Sequence, residues 1–268
     1  MINSHITSVA PRLLWQAEEA GWNLLAFAYI PGARHADYRP GSPDLPRVVT
    51  AMNRLRQIPC PDLPVKEATQ RWAAYLDDRA CAWLDGDTLL HTDFNPLNVL
   101  IAPQATWIVD WAWPTRGAAF IDPACFLLRV MANGHTPASA ECWAAQCTGW
   151  GQAPPPAINA FATASARLFA EIARDDPQPW KQQLASAASQ LFRNLGGAAG
   201  DDVDASAGPG VDEHGCVGAA AAQREVVDPQ HPRHRQCGQR DLEQDTQRGV
   251  PGHADAQRRQ QPRRGPAR

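Results

Sequence analysis

The stretch HTDFNPLNVLIAPQATWIVDW, which begins at His91, carries most of the information about how this chain is built. It places Asp93 five residues before Asn98, and it places Asp110 at the end of a short apolar run. The apolar residues on either side of the intervening turn predict a two-stranded hairpin. Chemistry at a nucleotide's terminal phosphate needs a carboxylate that accepts a hydroxyl proton, and an amide oxygen and a second carboxylate that hold Mg²⁺. These three side chains occur here in that order.

A simpler interpretation is that two strands happen to end in carboxylates. His and Asp are common in turns, so the segment ending at Asp93 or the one ending at Asp110 would be weak evidence alone. The conjunction of both segments with Asn98, at these separations, favours a functional site.

The pattern H-x-D-x-x-x-x-N followed by a second Asp matches the catalytic loop and metal-binding Asp of kinase-like enzymes. Thr92 stands where protein kinases carry Arg, and Asp110-Trp111-Ala112 stands where they carry Asp-Phe-Gly. With these departures the chain resembles the aminoglycoside phosphotransferase family of small-molecule kinases. The resemblance implies an α+β, protein-kinase-like fold with a mainly helical C-terminal lobe. It also implies ATP-dependent transfer of the γ-phosphate to a hydroxyl of a small molecule.

The resemblance gives each residue of the motif an expected role. Asp93 would align and deprotonate the acceptor hydroxyl, while Asn98 and Asp110 would hold Mg²⁺ with ATP as co-substrate. His91, the other member of the catalytic group, would orient the loop by hydrogen bonding. A metal-dependent hydrolase that uses His91, Asp93 and Asp110 is the competing enzyme class. It is disfavoured because no further His/Asp pair supplies a second metal shell.

Residues 1–30 are expected to be the remnant of a small N-terminal β lobe. Residues 13–18 and 22–30 predict two strands joined by a tight turn. In the family, a phosphate-covering loop, a phosphate-pairing Lys and a helix Glu precede these strands, whereas the first Lys here is Lys66. We therefore expect an incomplete lobe, produced by a misplaced start site or gene decay, or supplied by another protein. The alternative function is an inactive, truncated kinase-like fragment.

Residues 31–195 are expected to form the helical catalytic lobe. Apolar spacing predicts helices over 48–55, Lys66 to Trp83, 137–148, 155–174 and 179–192. Asp122-Pro123 predicts a helix start, with Asp122 as the N-cap. The resemblance adds a second role for Asp122, bracing the catalytic loop, so capping alone and capping together with bracing both stay open.

The tail, residues 196–268, differs in composition from the rest of the chain. No aromatic residue follows Phe192, and Gly, Pro, Gln, Arg and Asp dominate. Too little apolar surface remains to offset the entropy of ordering, so we expect disorder, with a sequence that resembles out-of-frame translation. A basic nucleic-acid-binding arm is the alternative. It is disfavoured by the absence of aromatics for stacking and by the net charge of −3.

Cysteine usage and hydropathy indicate the compartment. The seven Cys form no C-x-x-C pair and no zinc-like cluster, which favours reduced thiols. Neither a signal-peptide pattern nor a run of about twenty apolar residues is present. We expect a cytoplasmic protein whose partners are a nucleotide and a small-molecule hydroxyl acceptor, without nucleic acid or membrane. Aminoglycosides, other antibiotics, choline-like alcohols and sugars all remain open as acceptors.

Overall fold

A computed structural model describes residues 1–196, and its mixture of helices with small sheets confirms the predicted α+β class. The strands are β1 (Leu13–Glu19), β2 (Trp22–Phe27), β3 (Arg34–His35), β4 (Lys66–Glu67), β5 (Thr88–Leu90), β6 (Val99–Ile101), β7 (Thr106–Ile108) and β8 (Thr115–Gly117). The α-helices are α1 (Leu45–Leu55), α2 (Ala68–Arg71), α3 (Asp78–Cys81), α4 (Ile121–Ala132), α5 (Pro137–Ala144), α6 (Pro155–Asp175) and α7 (Pro179–Gly196). The predicted disordered tail lies outside the described residues, apart from Gly196 at the end of α7.

The first two strands form the antiparallel hairpin that the sequence predicts. Ala20 and Gly21 connect them with φ angles of 49° and 79°. A two-residue hairpin turn of this kind needs two left-handed residues, and Gly takes that conformation without a steric penalty. The register pairs Glu19 with Trp22 and Trp15 with Ala26, so Trp15 and Trp22 lie on one face of the hairpin. Both indole side chains are exposed.

A three-stranded sheet in the order β3-β6-β7 positions the motif residues. Strands β6 and β7 are antiparallel and pair Val99 with Ile108, which confirms the predicted hairpin. Val99, Ile101 and Ile108 are buried in the core, so this sheet is fixed by packing on one face. The hairpin is therefore a rigid support for the residues at its ends.

The C-terminal helices pack against one another and against the hydrophobic core. Helix α6 packs on α7, and α4 packs on both α5 and α7. Helices α5, α6 and α7 confirm the three predicted helices, each beginning at a Pro in its first turn, where a missing N–H costs nothing. No helix among residues 1–196 is long and apolar enough to cross a membrane.

The predicted helix from Lys66 to Trp83 is wrong. The segment instead contains β4, α2, α3 and two turns of 3-10 helix. Leu76 is extended, with φ −135° and ψ 155°, and the Asp77 side chain then accepts a hydrogen bond from Ala80 N and caps a new helix. Trp72, which suggested one helical face, is buried against the Phe161 ring at 5.4 Å. Tertiary packing thus accounts for the apolar spacing without a continuous helix.

Candidate active site

The structure brings Asp93 and Asn98 into direct contact. Pro96 starts a turn of 3-10 helix that the Asn95 side chain caps by accepting a hydrogen bond from Leu97 N at 3.0 Å. That turn returns the chain, so that Asn98 Nδ2 donates to Asp93 O at 3.1 Å and to Asp93 Oδ2 at 3.0 Å. One face of the Asp93 carboxylate is thereby fixed by the amide five residues further on.

Asp110 reaches the same end of the hairpin along β7. The backbone N–H of Val109 donates to Asn98 O at 2.9 Å, so the residue before Asp110 lies directly beside Asn98. Asp110 is exposed and has a left-handed φ of 61°. Asp tolerates this conformation better than most residues, and such backbone geometry is concentrated at functional sites. The three oxygen-bearing side chains predicted from the sequence therefore share one edge of the fold.

His91 links the loop that carries Asp93 to the strand that carries Asp110. Its Nε2 donates to the Val109 carbonyl at 3.0 Å, and its Nδ1 accepts from Asp93 N at 3.3 Å. The ring also packs edge-on against Trp111, with centroids 4.8 Å apart. Because both nitrogens are used and the side chain is buried, His91 is placed to orient the loop and not to react.

The Asp122 side chain braces the loop that carries Asp93. Its carboxylate accepts hydrogen bonds from His91 N at 2.9 Å and Thr92 N at 2.8 Å. The capping role predicted for Asp122 is wrong, because the N-cap of α4 is Phe120, two residues earlier, and it makes no side-chain cap bond. Bracing is observed without the capping role. Burial raises the pKa of Asp122, and the two N–H donors act against that rise.

Thr92 is held in an unfavourable backbone conformation by these contacts. Its φ is 66°, which is rare for a β-branched residue. Asp122 fixes its N–H, and its hydroxyl donates to the Trp113 carbonyl at 3.1 Å. The same carbonyl accepts from Arg71 Nη2 at 3.2 Å. The turn that aims Asp93 is therefore held by the Asp122 carboxylate and by the Trp113 carbonyl, which Arg71 also binds.

Sequence analysis missed Arg129, which forms an ion pair with the predicted base. Arg129 Nη2 lies 2.7 Å from Asp93 Oδ1, and the two side chains are 15% and 33% exposed. Arg129 follows Asp122 by seven residues on α4, which is two helical turns, so both face the loop. The seven-residue spacing between Asp122 and Arg129 was the signal in the sequence. It can be used only if a helix is assumed to bring Asp122 into the site.

The donor set suits a hard cation. Because the Asn98 amide nitrogen binds Asp93, its Oδ1 is the atom left to face a metal ion. The bond from Val109 N to Asn98 O brings the backbone of Asp110 to the same part of the site. Mg²⁺ prefers oxygen ligands and completes its shell with water and phosphate oxygens, so one carboxylate and one amide fit it when nucleotide is bound. No group of three or more His, Cys, Asp or Glu side chains in residues 1–196 could hold a metal ion.

The chain matches no protein-family model and no curated protein sequence. Among solved structures it is similar to a choline/ethanolamine kinase family protein from Mesorhizobium loti, with 16% identity and a TM-score of 0.48, covering 75% of this chain and 76% of that one. The likeness is one of fold. Choline kinase LicA from Streptococcus pneumoniae has 13% identity and a TM-score of 0.48, covering 71% and 78%. A thermostable mutant of aminoglycoside phosphotransferase APH(4)-Ia has 15% identity and a TM-score of 0.45, covering 75% and 82%.

At 13–16% identity, these structures assign no function to this chain. The function proposed below therefore rests on the site geometry.

Proposed function

We propose that this chain transfers the γ-phosphate of ATP to a hydroxyl group of a small molecule. The observation that carries the proposal is the contact between Asp93 and Asn98 beside Asp110, on a loop held in a strained conformation. A proton acceptor and two metal ligands, in that spatial arrangement, are the parts that phosphoryl transfer requires.

Asp93 is the proposed base. Its carboxylate accepts the hydrogen bond of the acceptor hydroxyl, orients the oxygen toward the phosphorus and receives the proton as the bond forms. Asn98 holds Asp93 Oδ2, and His91 holds the Asp93 backbone N–H, so the carboxylate turns little between binding and transfer. This preorganisation replaces the entropic cost of aligning two reactants in solution.

Asn98 Oδ1 and the Asp110 carboxylate would hold Mg²⁺ against the phosphate oxygens of the nucleotide. When bound, Mg²⁺ would neutralise negative charge on the phosphoryl group. Asp110 contributes a formal negative charge and Asn98 a dipole, so Asp110 is the stronger of the two proposed ligands. The backbone hydrogen bond from Val109 N to Asn98 O sets the separation between Asn98 and Asp110.

ATP consumption in the presence of Mg²⁺ and a panel of small alcohols tests the proposal. Asp93→Asn should lower turnover by about 10²-fold or more while the far-UV spectrum and melting temperature stay unchanged. Asp87→Asn is the matched control, because Asp87 is an exposed carboxylate outside the site. Full turnover in Asp93→Asn would remove Asp93 from the mechanism. Failure of the unaltered chain to bind or consume Mg-ATP would favour the inactive fragment.

A further inference from the structure

Both oxygens of the Asp93 carboxylate are engaged, and from opposite sides. Asn98 Nδ2 donates to Oδ2 at 3.0 Å, and Arg129 Nη2 donates to Oδ1 at 2.7 Å. Asn98, one of the two proposed metal ligands, binds Oδ2, so we assign the metal and the nucleotide phosphates to that side. Arg129 therefore lies on the side from which the acceptor hydroxyl approaches.

The cationic group that contacts Oδ1 is the Arg129 guanidinium. Arg129 is only 15% exposed, so its guanidinium is partly shielded from water and its field is felt strongly by any bound group. Three other carboxylates of residues 1–196 already pair with cations: Asp44 with Arg34, Asp37 with Arg39 and Asp176 with Lys181. Asp122 is buried and committed to the His91 and Thr92 amides.

We propose that the acceptor is a small anionic alcohol, which carries a carboxylate or phosphate group that binds Arg129 while its hydroxyl approaches Asp93 Oδ1. The inference rests on the function proposed above and names the substrate class of that same site. A guanidinium pairs with such an anion through two parallel hydrogen bonds. When the anion takes Arg129, Asp93 Oδ1 becomes available as the proton acceptor. A neutral or cationic alcohol does not bind Arg129, so the ion pair between Arg129 and Asp93 stays intact.

The transfer balances with ATP as the only co-reactant. The acceptor oxygen forms a bond to the γ-phosphorus, and the bond from that phosphorus to the bridging oxygen breaks, with the electron pair leaving on ADP. The hydroxyl proton passes to Asp93 Oδ1. Arg129 does not react, and it acts as a specificity-determining residue that couples anion binding to release of the base.

Kinetic discrimination between acceptors is the first arm of the test. D-glycerate and sn-glycerol 3-phosphate should support ATP consumption at least tenfold faster than glycerol or choline. Arg129→Gln should raise KM for the two anions by about 10- to 100-fold, as expected for loss of a charge-assisted bond, and should leave the affinity for Mg-ATP unchanged. Arg174→Gln is the matched control, because that guanidinium is exposed and pairs with its neighbour Asp175. Arg129→Lys should fall between, since it keeps the charge and loses the two-pronged geometry.

Calorimetric titration of sn-glycerol 3-phosphate without nucleotide is the second arm. Binding to the unaltered chain and to Arg174→Gln, with loss of binding in Arg129→Gln, supports the anion site. If no acceptor is phosphorylated in that case, only the proposed function is refuted. Equal binding in Arg129→Gln, or no binding to the unaltered chain, overturns the inference. Equal rates with choline or glycerol also overturn it. A matching loss of Mg-ATP affinity in Arg129→Gln would assign the residue to the nucleotide and equally overturn it.

Discussion

Replacement of Asp122 by Asn should loosen the catalytic loop before it unfolds the protein. The carboxylate accepts two buried N–H groups, from His91 at 2.9 Å and Thr92 at 2.8 Å. Each hydrogen bond to a charged group contributes about 1.5–3 kcal/mol. Asn retains one acceptor oxygen and turns its amide nitrogen toward the other N–H, but it also removes a buried charge. We therefore expect a net loss of about 1–3 kcal/mol in the free energy of unfolding, and about 2–6 kcal/mol for Asp122→Ala, which leaves both N–H groups unpaired.

The pH dependence of this effect has a definite sign. Burial raises the pKa of Asp122 above its ordinary value of 3.8, so the folded state holds the proton more tightly than the unfolded state. The stability contributed by that proton is complete below 3.8 and is lost as the pH rises through the raised pKa. The free energy of unfolding of the unaltered chain should fall over that interval relative to that of Asp122→Asn. Above it the two curves should run parallel.

Urea unfolding together with hydrogen exchange at His91 and Thr92 measures both effects. In Asp122→Asn these two amides should exchange faster than those of the core strands, because Thr92 no longer has the contact that holds its φ at 66°. Asp85→Asn is the matched control: its carboxylate accepts one N–H, from Gly86 at 3.0 Å, at an exposed position. Unchanged protection of both amides, with a stability loss no larger than that of the control, would refute the bracing argument.

Three further outcomes are expected. Asp110→Ala should weaken Mg-nucleotide binding more than Asn98→Ala, because a carboxylate offers formal charge to the ion; calorimetry giving the reverse order would contradict the ligand assignment. Deleting residues 197–268 should leave the melting temperature unchanged in a thermal scan, since that segment has little apolar surface to bury, and a clear drop would show that it folds. Trp15→Ser combined with Trp22→Ser should reduce self-association in light scattering, because the two exposed indoles share one face of the hairpin; unchanged association would locate the contact elsewhere.

Sequence reasoning succeeded where the determining contacts are local. The Ala20-Gly21 turn, the β6–β7 hairpin and the Pro-initiated helices are each specified by residues within a few positions of one another. The motif could be recognised because Asp93 and Asn98, which contact each other, are only five residues apart in the sequence.

It failed where the partner is distant in the chain. Arg129 is 36 residues from Asp93, and this pair was not predicted. The contact of Asp122 with His91, across 31 residues, was predicted only from the family resemblance. No spacing rule connects such pairs until the path of α4 is known. The same cause explains the segment after Lys66, where burial of Trp72 against α6 imitates the apolar face of a helix. Non-local packing, which a single sequence does not display, sets these contacts.

Through His91, the position of the proposed proton acceptor Asp93 is coupled to that of the proposed metal ligand Asp110. One imidazole ring is bonded both to the amide of Asp93 and to the carbonyl that precedes Asp110, so a substitution that shifts either segment shifts the other. Mutations on the two segments should therefore be strongly non-additive in a double-mutant cycle. A designer who moves this site to another scaffold has to graft the loop, the ring and the end of β7 as one unit. Transfer of the loop alone would bring Asp93 without the contacts that fix its position relative to Asp110.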